Sequence, residues 1–280
     1  MEYLESRVAM VNDRLESVID AVDPDALSDE LGHVVLAGGK RVRPAVTILV
    51  CESVGGTPED AVDFAVGVEL VHNASLVIDD IIDRSDIRRG TPSAWAEYGY
   101  RPAIIASDGL LGEAFSLFSS NEQAMQIVAE SMVELGEGEA TELVARPTNE
   151  AEYMTLARRK TGALFRAAAE LGAVAGGADP FTVETFGEYA ERVGIAFQIR
   201  DDVLDATATA SDLGKPAGHD AAMERPSLVQ ITDLTPEEAN ERAKHQSEQA
   251  LAALDATGVS QTDARGYLRD LAEFVIVRER

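Results

Sequence analysis

One cysteine in 280 residues leaves no partner for an internal disulfide. Cys51 lies in the mostly apolar run Val46 to Val54, where the expectation is a buried small hydrophobe in a reducing cytoplasm. Aromatic residues make up only 5% of the chain, and Asp plus Glu outnumber Lys plus Arg by 50 to 24. Nucleic acid, whose phosphates favour a basic surface, is therefore not an expected partner. Long apolar runs are also scarce. Residues 1–11 carry Glu2, Glu5 and Arg7 rather than a leader's apolar core, and no later stretch reaches the roughly eighteen apolar residues of a spanning helix. The expectation is a cytoplasmic protein without stable membrane insertion.

Lysine is the rarest charge. Of the four, Lys40, Lys160 and Lys215 each stand close to a glycine, and only Lys244 sits in an ordinary polar helical stretch. The formal charge of −26 strains a compact domain through self-repulsion at ordinary salt. At molar salt the Debye length falls to about 3 Å, so a halophilic source fits this composition. An acidic mesophilic protein is the alternative.

No run shows sustained alternation of period two, which leaves helices. Glycine and proline cluster at Gly38-Gly39, Gly55 to Pro58, Gly90 to Pro92, Gly176-Gly177 and Gly214 to Gly218, and the segments between them are long. Ala61, Phe64, Ala65, Val68, Val71 and Ile78 share one face at helical spacing. Thr57 and Pro58 open that helix, and it runs to about Asp83. A second long helix spans Phe181 to Leu204, with Phe186, Ala190, Val193 and Phe197 as its apolar stripe. Residues 207–219 read as a loop. With neither short repeats nor a low-complexity linker, residues 1–280 read as one all-α domain.

Both long helices end in the same acidic pattern. In Asp79-Asp80-Ile81-Ile82-Asp83 the first and last carboxylates face the same way, about 6 Å apart along the axis. They repel each other, follow the apolar run Leu76 to Ile78, and occupy the negative end of a helix dipole. A cation offsets these costs. Mg²⁺ suits them because it takes carboxylate oxygens, keeps waters and binds substrate phosphates. A solvated acidic face is the plain alternative in so acidic a chain, but Asp201-Asp202-Val203-Leu204-Asp205 repeats the pattern after a second apolar stretch. The cations complement it. Lys40, Arg41 and Arg43 follow Gly38-Gly39, and Arg88-Arg89 stand just beyond the first cluster. Such groups suit diphosphates, although each taken singly reads as surface charge.

From about Leu31 to Leu228 the chain resembles the trans-isoprenyl diphosphate synthases. The matching motifs, in order, are GGKRVRP, VHNASLVIDDIIDRSDIRRGTP, ASDGLL, KTG, GIAFQIRDDVLDAT and GKPAGHD. The resemblance implies an isoprenoid synthase helical bundle around a deep central cavity, usually as a homodimer. It implies that Asp79, Asp83 and Asp201, supported by Asp80, Asp202 and Asp205, hold about three Mg²⁺ ions against an allylic diphosphate gripped by Arg88. Lys40, Arg43, His72 and Arg89 match the isopentenyl diphosphate site. His72 without that motif would read as a satisfied core histidine. Lys160, Thr161 and Gln198 match positions beside the reacting carbons, and Lys215 a further diphosphate contact. The implied reaction is ionisation, condensation and elimination, with no protein nucleophile.

The chain departs from that family at several points. Ile78 stands where His is frequent, Gly138-Glu139 where Gly-Gln is frequent, and Arg225, followed by Pro226-Ser227-Leu228, where a second Lys is common. In such enzymes bulky residues one turn before the first cluster stop chain growth. Ala74 and Ser75 supply no such floor and Val71, deeper, is moderate in size, so geranylgeranyl diphosphate or a longer product is expected. A terpene cyclase or a noncatalytic subunit of a heteromeric synthase are the rival readings.

Overall fold

The Asp60 carboxylate accepts from both the backbone N–H and the hydroxyl of Thr57 at 2.8 Å. Pro58, which lacks an N–H that the first turn would leave unsatisfied anyway, follows directly. Helix formation therefore starts at one defined residue, and α4 runs Pro58–Asp83. The structure, a computed structural model, describes residues 2–207 and 227–277. Ahead of α4 come α1 (Glu2–Ile19), α2 (Asp25–Leu36) and α3 (Val42–Ser53). A hairpin of β1 (Ile87–Arg88) and β2 (Thr91–Pro92) follows it, then α5 (Ala94–Tyr98), α6 (Tyr100–Phe118) and α7 (Glu122–Ala140). Next are α8 (Glu150–Ala157), α9 (Ala163–Ala175), α10 (Pro180–Thr207), α11 (Leu228–Ile231), α12 (Pro236–Ala256) and α13 (Asp263–Val277). Two π-helical turns, Thr141–Ala145 and Arg158–Gly162, extend α7 and join α8 to α9.

The helix α4 lies at the centre, packed on α3, α6 and α9, while α10 packs on α9 and α12. Ala61, Phe64, Ala65, Val68 and Val71 of the stripe read from the sequence are buried along α4, whereas its last member, Ile78, is 37% exposed where the helix reaches the acidic cluster. This helix is long and apolar enough to cross a membrane by length and composition, a looser test than an unbroken apolar run, but 67% of its apolar window is buried inside the fold. It is a core helix here. Close approach elsewhere depends on glycine: a Cβ at Gly172 of α9 would lie 2.2 Å from the Thr47 carbonyl oxygen of α3. Cys51 is fully buried, and burial pushes its thiol up to about 12.

The second long helix begins one residue earlier and ends three later than the sequence reading places it. Thr207 is thus helical, while residues 208–219 of the expected loop, with Lys215, lie outside the described residues, as do Arg225 and Pro226. The hairpin leaves no period-two pattern in the sequence because each strand has two residues. Positive φ at Arg89 (52°) and Gly90 (82°) makes its tight turn.

Candidate active site

At the C-terminal end of α4 the three carboxylates of the first cluster separate. Asp79 and Asp83, one turn apart, are partly exposed, whereas Asp80 turns inward and is 3% exposed. There Asp80 accepts Arg88 Nε at 3.0 and 3.1 Å and Nη2 at 2.5 Å. Asp80 thus holds the arginine expected on the substrate, while Asp79 and Asp83 lie more exposed on the same helix end.

The second cluster divides in the same way. Asp201 is exposed, Asp205 half-buried and Asp202 buried at 3%. Asp202 accepts the Tyr153 hydroxyl at 2.6 Å, the Gln198 side-chain amide at 2.9 Å and the Leu228 backbone N–H at 3.0 Å. Gln198 in turn accepts the Thr161 hydroxyl at 2.6 Å. A separate apolar cluster of Tyr153, Ile195, Ile199, Val203 and Leu228 supports this end of α10. Among the described residues no three His, Cys, Asp or Glu side chains converge to hold an ion by themselves. Oxygen donors spread over two helix ends fit Mg²⁺, which takes much of its shell from water and phosphate.

Cations gather nearby. Arg89 donates to the Gly38 carbonyl at 2.5 Å and to Asn73 Oδ1 at 3.3 Å, tying the hairpin to the glycine turn ahead of α3. Gly39 leaves room for it, since a Cβ there would meet the Arg89 guanidinium at 3.1 Å. The Arg43 guanidinium stacks 4.6 Å from the Phe165 ring centroid, and its Nε is buried without a hydrogen-bond partner. Burial lowers Arg43 to about 10, so it remains charged at neutral pH, and it feels both Arg89 and Asp201. Burial first, then Arg43, Arg89, Arg88 and Arg41, push the His72 imidazole well below its ordinary range. His72 is therefore a neutral hydrogen-bonding group among cations, the environment an anion needs.

Two other cations of the glycine-rich motif have different settings. Arg41 is buried, donating to Glu69 and the Val35 carbonyl at 2.6 Å each and to Asn12 at 3.1 Å, so it is structural. Lys40 is exposed and lines an apolar cleft with Leu4, Val42 and Phe274.

Lys160 and Thr161 sit on the π-helical turn Arg158–Gly162. The extra residue of such a turn redirects side chains and recurs at functional sites. Lys160 Nζ pairs with Glu142, on the other π-helical turn, and with Glu139 at 3.2 Å. The two segments meet at Gly138, where a Cβ would lie 2.9 Å from the Lys160 backbone nitrogen. Tyr153, Glu142, Asn73 and Glu69 are contributors that sequence reasoning misses. Only Glu142 carries a signal, three residues beyond Glu139 and so on the same helical face.

From Asp79 an apolar cavity of about 200 Å³ leads between α4, α6 and α7. Ser75, Ala74 and Val71 line it on α4, Ser107 and Leu111 on α6, and Met132, Leu135, Gly136 and Glu139 on α7. The residues singled out for product length thus face one cavity that opens beside the first acidic cluster.

A sequence model described as polyprenyl synthetase matches residues 24–261. A geranylgeranyl diphosphate synthase of Methanosarcina mazei is 36% identical over 241 residues, 82% of this chain and 74% of that protein. A short chain isoprenyl diphosphate synthase of Methanothermobacter thermautotrophicus is 34% identical over 92% of this chain and 80% of its own. The crystal structure of a geranylgeranyl pyrophosphate synthetase from Pyrococcus horikoshii superposes with a TM-score of 0.90 at 32% identity, covering 99% of this chain and 98% of that one.

Proposed function

The chain belongs to the polyprenyl synthetase family and is a trans-prenyltransferase, and from that premise we propose that it condenses isopentenyl diphosphate with an allylic diphosphate to give geranylgeranyl diphosphate or a longer product. The observation that carries the product is the cavity beside Asp79. Its α4 wall holds Ser75 and Ala74 where an aromatic ring would stop growth.

Asp79 and Asp83 on one helix end and Asp201 and Asp205 on the other would hold Mg²⁺, which would supply charge to neutralise the leaving diphosphate. Asp80 and Asp202 support those ligands through Arg88, Tyr153 and Gln198. Arg43, Arg89 and neutral His72 bind the second diphosphate and bring its double bond toward the allylic carbon, supplying charge without competing as a nucleophile. Thr161 and Gln198 turn oxygen dipoles toward developing positive charge, and the apolar cavity excludes water from the allylic chain. The proton lost in elimination goes to released diphosphate.

Incubation with geranyl diphosphate, with and without isopentenyl diphosphate, tests the reading. A synthase elongates only when both are present, whereas a cyclase releases hydrocarbon or alcohol from the allylic diphosphate alone. We further propose a cytoplasmic homodimer that works at high salt. The charge of −26 supports the salt requirement, and exposed Tyr100, Ile104 and Ile105 on α6 with Val133 on α7 support the dimer.

A further inference from the structure

Lys160 is one of four lysines in this acidic chain, and its ammonium pairs with the carboxylates of Glu139 and Glu142. The two differ in depth: the Glu142 side chain is 7% exposed and that of Glu139 21%. Glu139 also lines the chain cavity together with Asp79 and Ser75, so the ion pair with Lys160 stands at the edge of the space that the allylic substrate enters. The Gly138 contact fixes the backbones of α7 and the lysine's π-helical turn against each other, which leaves side-chain rotation as the available movement.

We propose that Glu139 is a displaceable counter-anion of Lys160, exchanged for the allylic diphosphate on binding while Glu142 keeps its hold, so that the Glu139 charge weakens allylic substrate affinity. An ammonium has three N–H donors, so it can keep Glu142 while donating to a phosphate oxygen in Glu139's place. A carboxylate at the rim costs binding twice, by occupying the lysine and by repelling the incoming anion. This rests on the reading of Lys160 as a diphosphate contact.

Calorimetry with geranyl thiolodiphosphate, an allylic analogue slow to ionise, in magnesium buffer separates the outcomes. Glu139→Gln keeps the size and an acceptor oxygen but removes the charge. The Kd of the analogue is expected to fall about fivefold, the equivalent of ~1 kcal/mol for a partly exposed ion pair, while that of isopentenyl diphosphate alone stays the same. Glu139→Asp, which keeps the charge, is expected to bind no more tightly than the parent. Unchanged or looser analogue binding by Glu139→Gln overturns the proposal, looser binding making Glu139 a helper of metal or diphosphate. If neither protein binds the analogue, Lys160 loses its role as a diphosphate contact, which is a failure of the site reading rather than of Glu139 alone.

Discussion

The Thr161 hydroxyl donates to the Gln198 carbonyl oxygen at 2.6 Å, and this contact joins the π-helical turn of Lys160 to the helix of the second acidic cluster. It also fixes the Gln198 amide, whose nitrogen then donates to Asp202. A residue on one wall of the site thereby sets the orientation of a carboxylate on the other.

The far end of that relay is Tyr153, buried at 1%, whose hydroxyl donates to Asp202 at 2.6 Å. Tyr153→Phe removes one donor from a buried carboxylate while keeping the ring. Loss of about 1–3 kcal/mol of stability is expected in chemical denaturation, with a lower kcat from a less firmly held Gln198.

Arg41 and Glu69 form a buried ion pair, each side chain 3% exposed. Removing one member strands a charge, so Glu69→Ala is expected to cost roughly 3–5 kcal/mol in a denaturant titration. Arg43→Ala, two residues further along the motif, is expected to act on binding instead, raising the KM for isopentenyl diphosphate at least tenfold because it removes a cation that stays charged at neutral pH beside Arg89.

Product length follows the far wall of the cavity. A Cβ at Gly136 meets nothing within 4 Å, so the first carbon of a larger side chain is accommodated there, and Gly136→Leu narrows the cavity from the α7 side. Farnesyl-length products are expected from it, with no loss of melting temperature because glycine is a poor helix former. Met132→Ala enlarges the cavity and is expected to shift products longer. Chromatography of labelled products reads both.

Glu170 supplies a pH dependence. Burial raises its carboxyl to about 7, against the pull of Arg166. A group whose folded pKa is raised binds more protons folded than unfolded, so its contribution is present below about 4.5 and lost as pH rises to about 7. The loss is on the order of 3 kcal/mol at 1.36 kcal/mol per unit. Glu170→Gln is therefore expected to raise the melting temperature relative to the parent at pH 8 and to do little at pH 4.5.

The ends of α4 are legible in the sequence because Thr57-Pro58 and the acidic cluster are local signals. So are the cluster spacings, since residues four apart share a helical face whatever else packs there. What the sequence leaves out is direction. Arg41 and Arg43 are two residues apart in one basic motif, yet one is buried against Glu69 and the other faces the site. The same holds for Asp79 and Asp80. The π-helical turns are invisible to any count of period 3.6, because each shifts the register only locally, one of them where Lys160 approaches α7 at Gly138.

The most direct measurement of the central claim is incorporation of labelled isopentenyl diphosphate by the purified protein, given geranyl or farnesyl diphosphate and Mg²⁺. The account predicts label in a geranylgeranyl or longer diphosphate from either primer, abolished by chelation of the metal. Label absent from any elongated product, or products from geranyl diphosphate that stop at farnesyl length, would contradict it.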